Sequence, residues 1–165
     1  MINRLRHVLI LLALSTTACA GDQSLQAAFE AQMKDNGYDS YEIIWIQENE
    51  TDGWVLHTAW TDQYPDNRSE PGVNYYQKQG KKWQNAMGTG CSKSGVSMFG
   101  LMGNGYLYCS VLRSNMDLAK ITAGGEEGKI FPFNNDTMKV WVAVSPKVNA
   151  KLIGTSPDGH EYPLN

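Results

Sequence analysis

The chain has 165 residues, 42% hydrophobic, 19% charged and 10% aromatic, with 16 Gly, 6 Pro, 3 Cys and a formal net charge of −3. That composition argues against collagen, long disorder, a coiled coil and a many-pass membrane protein, and the length suits one domain with room for a real core. A mildly acidic balance without a basic stripe offers nothing to hold phosphates, which argues against nucleic acid as a partner.

The first residues read as an address. Arg4 and Arg6 give a positive start, Val8 to Leu14 (VLILLAL) is a short apolar run, and small residues follow, the order of a signal peptide. Such a run cannot cross a hydrocarbon core as a permanent helix, which takes about 20 residues. Thr16-Thr17-Ala18-Cys19-Ala20 then admits two readings. It resembles a bacterial lipoprotein box, with residues 1–18 removed and Cys19 the first mature residue, carrying palmitate-type acyl chains into the membrane; Thr16 stands where such boxes usually have Leu. The alternative is cleavage after Ala18-Cys19-Ala20 on the small-x-small rule, releasing a soluble chain that starts at Gly21.

The cysteine count favours lipidation, because an odd thiol in an exported protein needs a use and Cys19 then has one. Cys91 and Cys109 form the expected disulfide of an oxidising compartment. Two buried free thiols are the bland alternative; a metal pair is disfavoured, since neither cysteine sits in a CxxC spacing and His57 and His160 are single. Without residues 1–18, Lys+Arg falls from 14 to 12 against 17 acids, so the mature chain stands at −5. That favours solubility at a surface and disfavours adhesion to anionic lipid.

In residues 22–36, Leu25, Phe29 and Met33 recur every four residues with Ala28 beside them, which predicts one amphipathic helix capped by Ser24 and ended by Asn36-Gly37. Its narrow stripe fits one face of a sheet. From Tyr41 the period becomes two: Tyr41 to Gln47 and Trp54 to Trp60 predict a hairpin around Asn49 to Gly53, with Trp54, Leu56, Thr58 and Trp60 on one face and Val55, His57 and Ala59 on the other. After the breaker-rich loop Asp62 to Gly72, a second hairpin is expected from Val73 to Lys78 and Lys81 to Gln84, turning at Gln79-Gly80. Gly88 to Gly95 reads as a flexible junction between two halves. Beyond it, Val96 to Leu101 and Tyr106 to Leu112 flank the hairpin signal Asn104-Gly105. Ser114 to Asp117 is expected to cap a helical turn or two through Ile121. Short strands follow near Lys129 to Phe133, Met138 to Val144, Ala150 to Thr155 and His160 to Leu164. The expected fold is α+β, mostly β: helix plus antiparallel meander over 19–90, then a small β-sandwich-like half over 91–165, packed with the first as one unit.

A helix, then IIWIQENETDGWVLHTAW, Lys81-Lys82-Trp83 leading to Gly88-x-Gly90, Asp117-Leu-Ala-Lys-Ile121, Trp141 and a closing Asp158-Gly159 turn resembles small exported lipoproteins of Bacillus-like Gram-positive bacteria. The group has no established activity, so the resemblance implies a location and a fold type and carries over no catalytic residues.

Catalytic signatures are thin. Gly88 to Ser94 lacks the glycine a phosphate loop needs before Lys93, where Ser92 stands. Neither a Gly-x-Ser-x-Gly elbow nor a Ser-x-x-Lys set with its companions occurs. His57 reads as a half-buried strand residue and His160 as a solvated turn residue. Asp62, Asp66 and Glu70, and Asn134-Asn135-Asp136, offer oxygens for Ca²⁺ without the order of a known loop, so solvated turn residues are expected and no metal or cofactor. Sequons at Asn49, Asn67 and Asn135 would matter only in a secreted eukaryotic protein.

The aromatics stand out. Trp54 and Trp60 on one strand face, with Tyr75 or Trp83 on a neighbour, would make a platform for a sugar ring or a peptide; the alternative is packing under the helix. The expected function is a non-enzymatic, lipid-anchored binding or accessory module on the extracytoplasmic face, with an envelope protein or glycan as partner. A freely secreted inhibitor or toxin-like factor is the alternative, and a small extracellular hydrolase, with His57 beside an acid and a hydroxyl, the second alternative.

Overall fold

The computed structural model describes residues 22–60, 70–101, 103, 105–112, 115–134 and 138–164. The signal peptide, Cys19, Asp62, Asp66, Asn67, Asn104, Ser114, Asn135 and Asp136 lie outside them. The fold is α+β and mostly β, with antiparallel pairing throughout.

Helix α1 (Leu25–Asp35) begins where the Ser24 hydroxyl accepts a hydrogen bond from the Ala27 N–H at 3.1 Å. It ends in a Schellman motif: the N–H groups of Tyr38 and Gly37 donate to the carbonyls of Met33 and Lys34, each at 3.0 Å, around Gly37 at φ +75°. Leu25, Ala28, Phe29 and Met33 face inward, as their spacing demands.

The helix covers one face of a meander formed by β1 (Ser40–Glu48), β2 (Asp52–Trp60), β3 (Gly72–Gln79) and β4 (Lys82–Gly90), in that spatial order. Val55, Ala59, Tyr76 and Trp83 form the floor beneath it. Gly53 is required by this contact, because a Cβ there would stand 2.6 Å from the Leu25 Cδ2. In β1 the register shifts between Ile43 and Trp45. Strict alternation would put Trp45 on the helix side with Tyr41 and Ile43; the bulge reverses the phase, so Ile44 and Trp45 both turn to the opposite face and Ile46 returns to the helix.

A second sheet runs β5 (Ser97–Leu101), β6 (Gly105–Val111), β10 (Met138–Ser145) and β9 (Lys129–Phe133). A third contains β12 (Glu161–Pro163), β11 (Leu152–Thr155), β7 (Lys120–Ala123) and β8 (Glu126–Glu127). The layers stack as helix, first sheet, second sheet, third sheet. Between the first two, Trp54, Leu56, Val73 and Tyr75 meet Leu107, Val111, Val140 and Val142. Between the second and third, Tyr108, Trp141 and Ala143 meet Leu118, Ile121, Ala123 and Leu152. Strands β2 and β10 are therefore covered on both faces and lose the polar alternation of a one-sided strand. The edge strands β9 and β12 carry Pro132 and Pro163, which offer no N–H to a further strand.

Cys91, directly after β4, is disulfide-bonded to Cys109 in β6, with their Cα atoms 5.2 Å apart. The bridge ties the end of the first sheet to an inner strand of the second.

Two expectations are corrected. Gly88 to Gly90 is not a flexible junction: β4 continues through it, Gly88 pairs with Asn74 and Gly90 with Gly72, and the Cys91 N–H donates to the Pro71 carbonyl at 2.6 Å. The Asn74 side chain lies over Gly88, in the place a Cβ would take. Nor is there a helix leading to Ile121. Residues 116–118 are irregular and β7 starts at Lys120, where Ile121 and Ala123 point inward with the period of a strand.

Candidate functional site

The expected aromatic platform does not form as one surface. Trp54 (7% exposed) and Tyr75 (0%) lie between the first and second sheets, whereas Trp83 (7%) lies on the opposite face under α1. The Tyr75 hydroxyl donates to the buried Asp52 carboxylate at 3.0 Å, so both ends of that ring are committed to the core. Trp60, half-buried, pairs with Ser40 at the far end of β2, about 20 Å along the strand from Trp54. Packing claims Trp54, Tyr75 and Trp83 because both faces of the sheet are covered there.

Trp45, which alternation alone did not single out, is where the aromatics meet a cavity. A cleft of about 580 Å³ opens between the β1–β2 hairpin, the β8–β9 connection and β10. Trp45 and Trp54 line one wall, Glu126, Glu127 and Lys129 another, and Val142 and Val144 are among the apolar residues beneath. The two indoles meet edge to face, centroids 5.9 Å apart at 67°. Phe131 lies closer to parallel with Trp45, at 5.2 Å and 31°, and the Lys129 ammonium sits 4.5 Å from the Trp45 ring centroid. Trp54 Nε1 is buried and has no hydrogen-bond partner among the described residues. Gly128 shapes the charged wall: a Cβ there would stand 2.8 Å from the Ala143 Cβ and from the Val142 carbonyl oxygen, so only glycine lets residues 126–129 lie this close to β10.

His57 is surrounded by packing groups. Its ring lies 4.9 Å from that of Phe29, a Cβ on Gly72 would stand 3.5 Å from its Nε2, and its side-chain hydrogen bond is to Asn74. Those neighbours are a phenyl ring, a glycine and an amide, different from the acid and hydroxyl expected of a hydrolase. Burial lowers the imidazole to about 4 from 6.5, against the Asn74 hydrogen bond, which favours the charged form. The unfolded chain takes up a proton as pH falls through 6.5, while the folded chain does not until about 4. Stability is therefore expected to fall across that window by about 3 kcal/mol. Urea midpoints between pH 7 and 4.5 measure it, and His57→Gln should flatten the slope; an unchanged slope in that variant would assign the acid sensitivity elsewhere.

The other candidates resolve into turn chemistry. Asn49 Oδ1 accepts from the N–H groups of Thr51 (2.8 Å) and Asp52 (2.9 Å), and its amide donates to the Asp52 carboxylate, which closes the first hairpin. His160 stacks edge-on with Tyr162 at 4.7 Å in the exposed last turn. There the Ser156 hydroxyl hydrogen-bonds Asp158 and holds its carboxyl below the usual range, helped by the His160 backbone. Glu70 is exposed, and among the described residues no three His, Cys, Asp or Glu cluster in a way that could hold a metal ion. Lys93 and Ser94 edge a smaller pocket of about 280 Å³ beside Trp141 and Pro163, where the Ser94 hydroxyl is taken by Ser92 at 2.8 Å.

No protein-family model matches the chain, and no curated protein and no solved structure matches it.

Proposed function

We propose that the chain is a non-enzymatic binding module of the cell envelope, held on the extracytoplasmic face of the membrane by a lipid on Cys19, with the Trp45–Trp54 cleft as its ligand seat. One observation carries the reading: two indoles, a carboxylate pair and an ammonium line one open cavity. Large, stiff aromatic surface beside a few charged groups is the usual make-up of a small-ligand seat. The leader ending at Ala18-Cys19 supports export and anchoring, and a Cys91–Cys109 disulfide is the kind that persists in an oxidising compartment.

Two measurements test it. Intact mass and detergent-phase partitioning of the protein from its host should return an acylated Cys19, lost in Cys19→Ser; an unmodified chain starting at Gly21 in the medium would replace this reading with a secreted factor. Soluble cell-wall glycan fragments and envelope peptides, titrated against the mature domain, should bind at least about ten-fold more weakly to Trp45→Ala, since removing an anchoring aromatic costs 1.4 kcal/mol or more. Equal binding by a folded Trp45→Ala would remove the cleft from the reading. Turnover of a model ester, peptide or glycan, abolished in His57→Ala, would overturn the non-enzymatic part.

A further inference from the structure

The cleft already holds a cation, its own. Lys129 reaches back from β9 and rests its ammonium 4.5 Å from the centroid of Trp45. An ammonium over an indole face is attracted by the negative face of the ring, and the attraction grows as water is excluded. The surroundings reinforce that preference. Glu126 and Glu127 line the same cavity within three residues of Lys129, and Glu127 also meets the Lys120 ammonium at 3.4 Å. The side chains of the floor residues Val142, Val144 and Pro146 offer no oxygens to replace the water shell of a small inorganic ion. At about 580 Å³ the cavity has room for a ligand once Lys129 swings aside.

We infer that the cleft binds an organic ammonium, quaternary or alkylated, and that Lys129 is the tethered occupant which such a ligand displaces. The inference rests on the cleft being a ligand seat and names the chemistry of what enters it. A neutral sugar stacking on Trp45 would also have to move Lys129, and would forfeit the cation contact without replacing it. An ammonium restores that contact beside the Glu126 and Glu127 carboxylates. An anion would gain Lys129 but meet both carboxylates.

The test follows the Trp45 and Trp54 indole N–H resonances of the mature domain during titration with choline chloride, with 3,3-dimethylbutan-1-ol as its neutral isostere. Choline is expected to shift both resonances saturably, at least about five-fold more tightly than the isostere, and Trp45→Ala should abolish the response. Lys129→Ala should tighten choline binding about two- to five-fold by vacating the ring, whereas Lys34→Ala, the same charge change on the helix across the first sheet, should not. Competition by phosphatidylcholine vesicles would assign the ammonium to a lipid headgroup, and its absence to a soluble ligand. Equal affinity for choline and the isostere, or no gain in Lys129→Ala, would overturn the inference. Should glycan fragments shift the two indoles while choline does not, the inference falls and the ligand seat stands; should nothing shift them, both fall.

Discussion

Replacing Phe29 by alanine is expected to destabilise the fold by about 3–5 kcal/mol, a large share of what a domain of this size has to lose. The ring is fully buried, meets Tyr41 edge-on at 5.5 Å and lies against His57 at 4.9 Å. The helix cannot settle into the space left behind. Leu25 already rests on Gly53 at one end, and the Schellman turn around Gly37 fixes the other. The variant carries a second signature, because Phe29 also keeps water from the imidazole. With the ring gone, His57 is expected to move back towards 6.5, so the acid loss of stability shrinks. Urea denaturation at pH 7 and pH 5 reads both effects: the penalty should be smaller at pH 5. Equal penalties at the two pH values would mean that Phe29 packs the helix without sealing His57.

The Cys91–Cys109 bridge is expected to contribute about 3 kcal/mol by restricting the unfolded chain across a sequence separation of 18 residues. Removing it should lower the melting temperature by about 6–12 °C. Both cysteines are fully buried, so a reductant added to the native protein reaches them poorly. The comparison is therefore made on Cys91→Ser with Cys109→Ser, alongside protein reduced in denaturant and refolded. A melt unchanged in both would show that the packing of the first sheet on the second suffices without the bridge.

Local signals made much of this fold legible. Leu25, Phe29 and Met33 with a Ser24 cap give the helix, and the turn chemistry at Asn49, Gly80 and Pro157-Asp158-Gly159 sets the neighbouring strand ends. The pairings hidden from the sequence are those that join distant strands. Nothing local to Lys120 announces that it will pair with Thr155, so the segment before it read as helical. Gly88 reads as part of a flexible junction because its partner, the Asn74 side chain, comes from the strand before it. The cleft was missed for a related reason. A bulge residue has no signature in an unbroken run such as Ile43-Ile44-Trp45-Ile46, yet the bulge alone decides that Trp45 faces Trp54 and Lys129. Trp83 was grouped with Trp54 because alternation within strands does not say which face of one meets which face of another.

The route of the chain through the second and third sheets sets the order in which the protein can be completed. The helix and the four strands of the first sheet are complete by residue 90, but the face carrying Trp54, Leu56, Val73 and Tyr75 stays open until the second sheet arrives. The second sheet is begun by β5 and β6, abandoned while β7 and β8 are laid in the third, and resumed only with β9 and β10. Its inner strand β10, whose Val140 and Val142 face one core and whose Trp141 and Ala143 face the other, thus arrives among the last. A chain halted before Met138 would hold a β5–β6 hairpin, fastened at Cys91 and facing the first sheet, without the β10 residues that complete both cores. Such non-local closure makes folding slow and leaves growing chains prone to misassociation, so the step most in need of protection is the wait for β10.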